Sequence, residues 1–143
     1  MDARVNLVTL AVQDVARSRR FYVDGLGWPV LGEVPGEVVF VRLSPTLVLS
    51  LWRAASFVDE VGPAGTPPGE APFVLAHNVP TPAAVDAAVA DVIAAGGALV
   101  HAPVWREWGG YSAYVADPDG FRWELAYNPG PMGLSLMAAD GLA

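Results

Sequence analysis

The stretch "YVADPDGFRWELAYNP" at residues 114 to 129 reads as a tight turn feeding a strand, and in the middle of that strand sits one carboxylate, Glu124, between Trp123 and Leu125. Such a carboxylate has three chemical uses: ligand to a divalent cation, general acid or base, or hydrogen-bond anchor for a bound molecule. A fourth reading is structural, with Glu124 paired to Arg122, Arg42 or Arg53 and ordering a sheet. The other reactive groups are few. The chain has no cysteine, which excludes disulfides, thiolate metal sites and a cysteine nucleophile. Of its two histidines, His77 is expected to face a helix as a hydrogen-bonded core residue, and His101 has no carboxylate at ligand spacing. Asn78, Ser50 or Tyr111 could orient a substrate beside Glu124 acting as base.

Flat aromatic surface is more plentiful than reactive groups. Trp52, Trp105, Trp108, Tyr111 and Tyr127 could stack on a planar ligand, and "VWREWGGY" at 104 to 111 could fold over the mouth of a pocket. Gly109 and Gly110 imply a close backbone approach or a mobile loop there. The competing expectation is that these rings fill the core, as Trp28 and Trp123 are expected to do.

The elements that must position these groups follow from periodicity and punctuation. "RVNLVTLAV" alternates as a strand. Asp14 then caps a helix with Val15, Ser18, Tyr22 and Leu26 on one face, stopped by Gly25 and Gly27. Strands "WPVLGEV", "EVVFVRL" and "TLVLSLW" follow. The Pro- and Gly-rich "VGPAGTPPGEAP" at 61 to 72 reads as a linker. Beyond it the order repeats: strand "PFVLAHNV", then a helix capped by Thr81 with Pro82 at its first position and Val85, Val89, Val92 and Ile93 inward, then strands "ALVHAPV", "YSAYVAD" and "FRWELAY". The fold class is therefore α+β, with two βαβββ modules at 5–52 and 73–129 and a tail at 130–143. Within the tail, Met132, Leu134, Leu136 and Met137 are expected to pack on the domain or on a twofold mate.

One helix per module covers one face of its sheet and leaves the other open, and side chains alternate between those faces. The expected helix-side residues are Val8, Leu10, Val12, Leu49, Leu51, Leu75, His77, Val79, Phe121, Trp123 and Leu125. The opposite parity sends Leu7, Thr9, Ser50, Trp52, Val74, Asn78, Arg122 and Glu124 to the open, concave side. With Trp105, Trp108 and Tyr111 from the aromatic loop, these are the expected pocket residues.

Bulk composition narrows the partners. The 143 residues are 53% hydrophobic and 16% charged with a net charge of -7, so disorder is disfavoured and a nucleic-acid backbone would be repelled. No segment approaches a membrane span, and "MDARVNLVTL" lacks the pattern of a signal peptide, so a cytoplasmic protein is expected. The apolar balance favours a homodimer.

The anchors "VTLAVQDVARSRRFYVDGLGW" and "YVADPDGFRWELAYNP" resemble the vicinal oxygen chelate superfamily, which includes glyoxalase I, extradiol dioxygenases and bleomycin resistance proteins. The second anchor carries the closing signature of that family, DPDG with a carboxylate four residues past the glycine. "AHNV" and "WGGYSAYVADPDGFRWELAYNP" are similar to a glyoxalase-like subgroup of unassigned function. The resemblance implies a single domain in which two modules form a cup, and four metal-ligand positions at Leu7, Ser50, Val74 and Glu124. Leu7 and Val74 have no lone pair and Ser50 is a poor neutral ligand, so no divalent metal cofactor is expected. The implied function is binding of a small hydrophobic or aromatic molecule in a metal-free cup. The alternative is a metal-independent isomerase or lyase with Glu124 as base, and a metal-dependent glyoxalase or dioxygenase is the least favoured reading.

Overall fold

A computed structural model describes residues 4–63, 73–139 and 141. The chain divides into two compact units, Met1–Glu70 and Ala71–Ala143. No helix among the described residues is long and apolar enough to cross a membrane.

In the first unit, strand β1 (Leu7–Val12) leads into helix α1 (Val15–Arg19), which continues as a π-helical stretch over Arg20–Gly25. Asp14 caps α1 by accepting the Arg17 backbone N–H at 3.0 Å, and that bond holds its carboxyl below the usual range. The wider π winding corrects the expected helix face. Leu26 N–H bonds the Phe21 carbonyl at 2.9 Å, and both Phe21 and Tyr22 turn inward beside Val15 and Ser18, whereas Leu26 is only partly buried. Strands β2 (Val30–Val34), β3 (Val38–Arg42) and β4 (Val48–Arg53) complete a sheet of order β1-β4-β3-β2, with β1 parallel to β4. Leu10, Val12, Val39, Val41, Leu49 and Leu51 are all buried, as strand parity requires.

Helix α2 (Ala54–Val61) was not foreseen, and it takes in the first residue of the expected linker. Residues 64–72 of that linker lie outside the described residues. Composition hid the helix because "AASFVDEV" is short and buries no side chain fully. Its anchor is Glu37, which accepts Trp52 Nε1 at 3.1 Å and Arg53 Nε at 2.9 Å, while Arg53 Nη2 donates to Ser56 Oγ at 2.8 Å.

The second unit repeats the plan. Strand β5 (Leu75–Asn78), helix α3 (Pro82–Ala94) and strands β6 (Ala98–Trp105), β7 (Tyr111–Ala116) and β8 (Arg122–Tyr127) form a sheet of order β5-β8-β7-β6, with β5 parallel to β8. The strand order is the same in both units: first, last, third, second. Thr81 Oγ1 caps α3 by accepting the Ala84 N–H at 3.1 Å, with Pro82 at the first position. Val85 and Val92 are buried and Val89 partly so, but Ile93 is 45% exposed, since it lies a further 100° or so around the helix from Val92.

The DPDG segment is a turn with an internal scaffold. Gly120 N–H bonds the Asp117 carbonyl at 3.0 Å, and buried Asp117 Oδ1 accepts from the N–H groups of Asp119 and Phe121, each at 2.9 Å. Gly120 has φ +92°, a conformation that an L side chain would strain. The turn fixes where β8 starts and therefore which of its residues face the open side.

The tail forms helix α4 (Pro131–Ala139), with Gly133 and Met137, four residues apart, buried on one face. Met132, Leu134 and Leu136 point outward, so of the four apolar tail residues only Met137 packs on its own unit.

Candidate functional site

Register determines which side chains share the open face of the second unit. Glu124 of β8 lies between Ala76 of β5 and Tyr114 of β7, Ala126 between Asn78 and Ser112, and Arg122 beside Ala116. His101 of β6 pairs with Tyr114 across the next ladder. The opposite face carries buried Ala113, Val115, Trp123 and Leu125, against which α3 packs.

Glu124 is half-buried, and Tyr114 Oη donates to its Oε1 at 3.1 Å. Among the described residues no arginine pairs with Glu124, which corrects the structural expectation: Arg53 is held by Glu37, in the other unit. Burial, followed by the hydrogen bond and charge of Glu124, pushes the Tyr114 phenol up from its usual range, with Arg106 pulling weakly the other way. Tyr114 therefore keeps its proton as a donor over the ordinary pH range. Two further side chains contact its ring. The Arg106 guanidinium lies 5.4 Å from the ring centroid and is itself held by Ser112, Nε to Oγ at 2.9 Å and Nη2 to the carbonyl at 3.2 Å. The His101 ring meets it edge-on at 6.0 Å.

Next to this pair runs an open groove of about 450 Å³, lined by Phe73, Val74, Val100, His101, Tyr114 and Arg122. Phe73 stacks on Phe121 with centroids 6.3 Å apart, which ties that wall to the DPDG turn.

On the corresponding face of the first unit the polar side chains are largely buried or engaged. Leu7 is exposed and apolar, Ser50 is 2% exposed between Thr9 and Phe40, and Thr9 is partly buried. Trp52 points to this face, but its indole N–H is taken by Glu37 and its ring packs edge-on against Phe57 of α2 at 5.9 Å. The Glu37 carboxyl is held below its usual range by hydrogen bonds from Ser56 and Trp52, and then by Arg53.

Three expected pocket residues lie elsewhere. Tyr111 and Trp105 pair with each other in the ladder and have the parity of Ala113, so they sit on the helix side. There Tyr111 Oη donates to Asp86 of α3 at 3.1 Å, and burial with that bond pushes its phenol up. Trp105 packs against Tyr111 and Tyr127 at the sheet edge and is 63% exposed. Trp108 lies over Gly110, where any Cβ would collide with its ring, whereas Gly109 has open space around it and takes φ +87°, so the first glycine serves the turn and the second the close approach. Asn78 and Glu124 have the expected parity but are not part of the groove lining, which Glu124 adjoins through Tyr114. His77 is exposed and not the core residue expected. Sequence reading missed Tyr114, Arg106 and Ser112 and discounted His101. The signal was present in "YSAYVA", where apolar Ala113 and Val115 fix Ser112 and Tyr114 on the other face.

The four positions that the resemblance implies as metal ligands offer few donor atoms. Leu7 and Val74 carry no donor atom, Ser50 is a buried neutral hydroxyl, and one Glu124 oxygen is engaged by Tyr114.

The model of the Glyoxalase/Bleomycin resistance protein/Dioxygenase superfamily matches residues 4–125. No curated protein matches the chain. Among solved structures, a glyoxalase-related enzyme from Fulvimarina pelagi is 37% identical, with 89% of each chain covered and a TM-score of 0.79. A glyoxalase/dioxygenase from Nostoc punctiforme is 29% identical over 90% of this chain and 92% of its own, with a TM-score of 0.65. A lactoylglutathione lyase from Agrobacterium tumefaciens is 20% identical over 90% of this chain and 96% of its own at a TM-score of 0.68, a likeness of fold alone. With this family match and its paired four-stranded sheets of identical order, the chain belongs to the Glyoxalase/Bleomycin resistance protein/Dioxygenase superfamily.

Proposed function

We propose that the chain binds a small, planar hydrophobic or aromatic molecule in the groove of its second unit, without a metal ion. The lining carries this reading: Phe73, Val74, Val100 and the Tyr114 ring supply an apolar wall, and Arg122 and His101 supply a few polar contacts. This is binding of the sequestering kind that the bleomycin resistance branch implies. The test is calorimetric titration with naphthoate, naphthamide and naphthylmethylammonium, with and without EDTA. Saturable binding of at least one probe, unchanged by the chelator and without product, is expected. Failure of all three to bind, or binding abolished by EDTA, contradicts the reading.

The Tyr114–Glu124 hydrogen bond beside the groove favours a second reading, a metal-independent isomerase or lyase. Glu124 would accept a proton from the bound substrate, with Tyr114 orienting the carboxylate. Deuterium exchange into a turned-over ligand must then collapse in Glu124→Gln, and undiminished exchange would remove Glu124 as base.

A further inference from the structure

Resting on the groove reading above, the geometry points to an anionic ligand class: a planar aromatic carboxylic acid whose carboxylate meets Arg122. Arg122 lines the groove and is half-buried, and among the described residues it has no hydrogen-bonding or ion-pair partner. Its neighbours of opposite charge are otherwise engaged. Glu124, two residues along on the same face, accepts from Tyr114, and Asp117 is buried under its own turn. Arg106, the other cation of this face, is committed to Ser112 and the Tyr114 ring.

A guanidinium stays protonated, so a ligand that displaces its water must replace that hydration or leave a charge unpaired. A carboxylate does so with two parallel N–H···O bonds, which a neutral amide matches less well and an ammonium opposes. The aromatic body of the acid would lie along Val74, Val100 and Tyr114, with the His101 ring as a further polar contact. The chain's net charge of -7 gives an anion no long-range help, so selection rests on this short-range pair.

The same naphthalene series tests the inference, because its members share a ring system and differ in the head group. Wild-type protein is expected to bind naphthoate about tenfold or more tightly than naphthamide, with naphthylmethylammonium weakest. Arg122→Gln should remove the advantage of naphthoate over naphthamide, with far-ultraviolet circular dichroism and an unchanged unfolding midpoint reporting that the variant is folded. Arg122→Lys should keep part of the preference. Equal affinities, a preference for the ammonium, or an unchanged naphthoate advantage in Arg122→Gln would overturn the anion assignment while the groove reading stands. If none of the three binds, the groove reading fails and this inference with it.

Discussion

The two units share one strand order and differ on their open faces. In the first, two candidate ligand contacts are buried or used internally: Ser50 is 2% exposed, and Trp52 ties β4 to Glu37 and to Phe57 of α2. In the second, Tyr114, His101 and Arg122 border a groove, and Glu124 is held beside them by a single hydrogen bond. The difference teaches that element order carries the fold, and that the side chains on alternate strand positions decide what each open face presents. In the first unit even a tryptophan with the right parity is structural.

The largest expected effect tests whether the two cores are equivalent. Leu51→Ala in the first unit and Leu125→Ala in the second, at residues 0% and 3% exposed, should each cost about 3 kcal/mol in denaturant unfolding. A cost below about 1 kcal/mol at one of them would break the equivalence. The open faces come next. Tyr114→Phe should weaken naphthalene-probe binding by about fivefold, because it frees Glu124 and loosens the groove wall, whereas Trp52→Phe should lower stability by about 1 kcal/mol and leave probe binding unchanged. If both variants changed binding equally, the assignment of function to one face would fail. The caps give a smaller, symmetric effect. Asp14→Ala and Thr81→Ala should each cost about 1 kcal/mol of stability, read from unfolding midpoints.

The smallest effects concern pH, and the two faces differ in sign. Tyr114 has its phenol raised, so its contribution is complete below the ordinary tyrosine range near pH 10 and is lost as pH rises through the higher folded value. Ultraviolet titration of wild type against Tyr114→Phe should show the missing phenol as one that ionises late, as Tyr111 also does. Glu37 has its carboxyl lowered, so its contribution is present above the ordinary glutamate range and is lost as pH falls through the lower folded value. Tryptophan emission compared between wild type and Glu37→Gln through the acid range should locate that loss.

Much of the fold was legible because it rests on local rules. The caps at Asp14 and Thr81, the Asp117–Gly120 turn and the alternation of Leu10, Val12, Leu49 and Leu51 each leave a mark in the sequence. Helix α2 and the π winding at Phe21 were not legible, since both depend on long-range contacts or on winding that composition does not encode. The site was half legible. Parity placed Glu124 and Arg122 on the open face, but Tyr111 and Trp105 were assigned by aromatic character when the ladder puts them on the helix side. Tyr114 became visible as the partner of Glu124 only through the β7–β8 register.

Residue-resolved amide chemical-shift mapping during naphthoate titration tests the central claim most directly. The account predicts saturating shifts at Val74, Val100, His101, Tyr114 and Arg122 of the second unit, with Leu7, Thr9, Ser50 and Trp52 of the first unaffected. Shifts centred on the first unit's open face, or none at either, would contradict it.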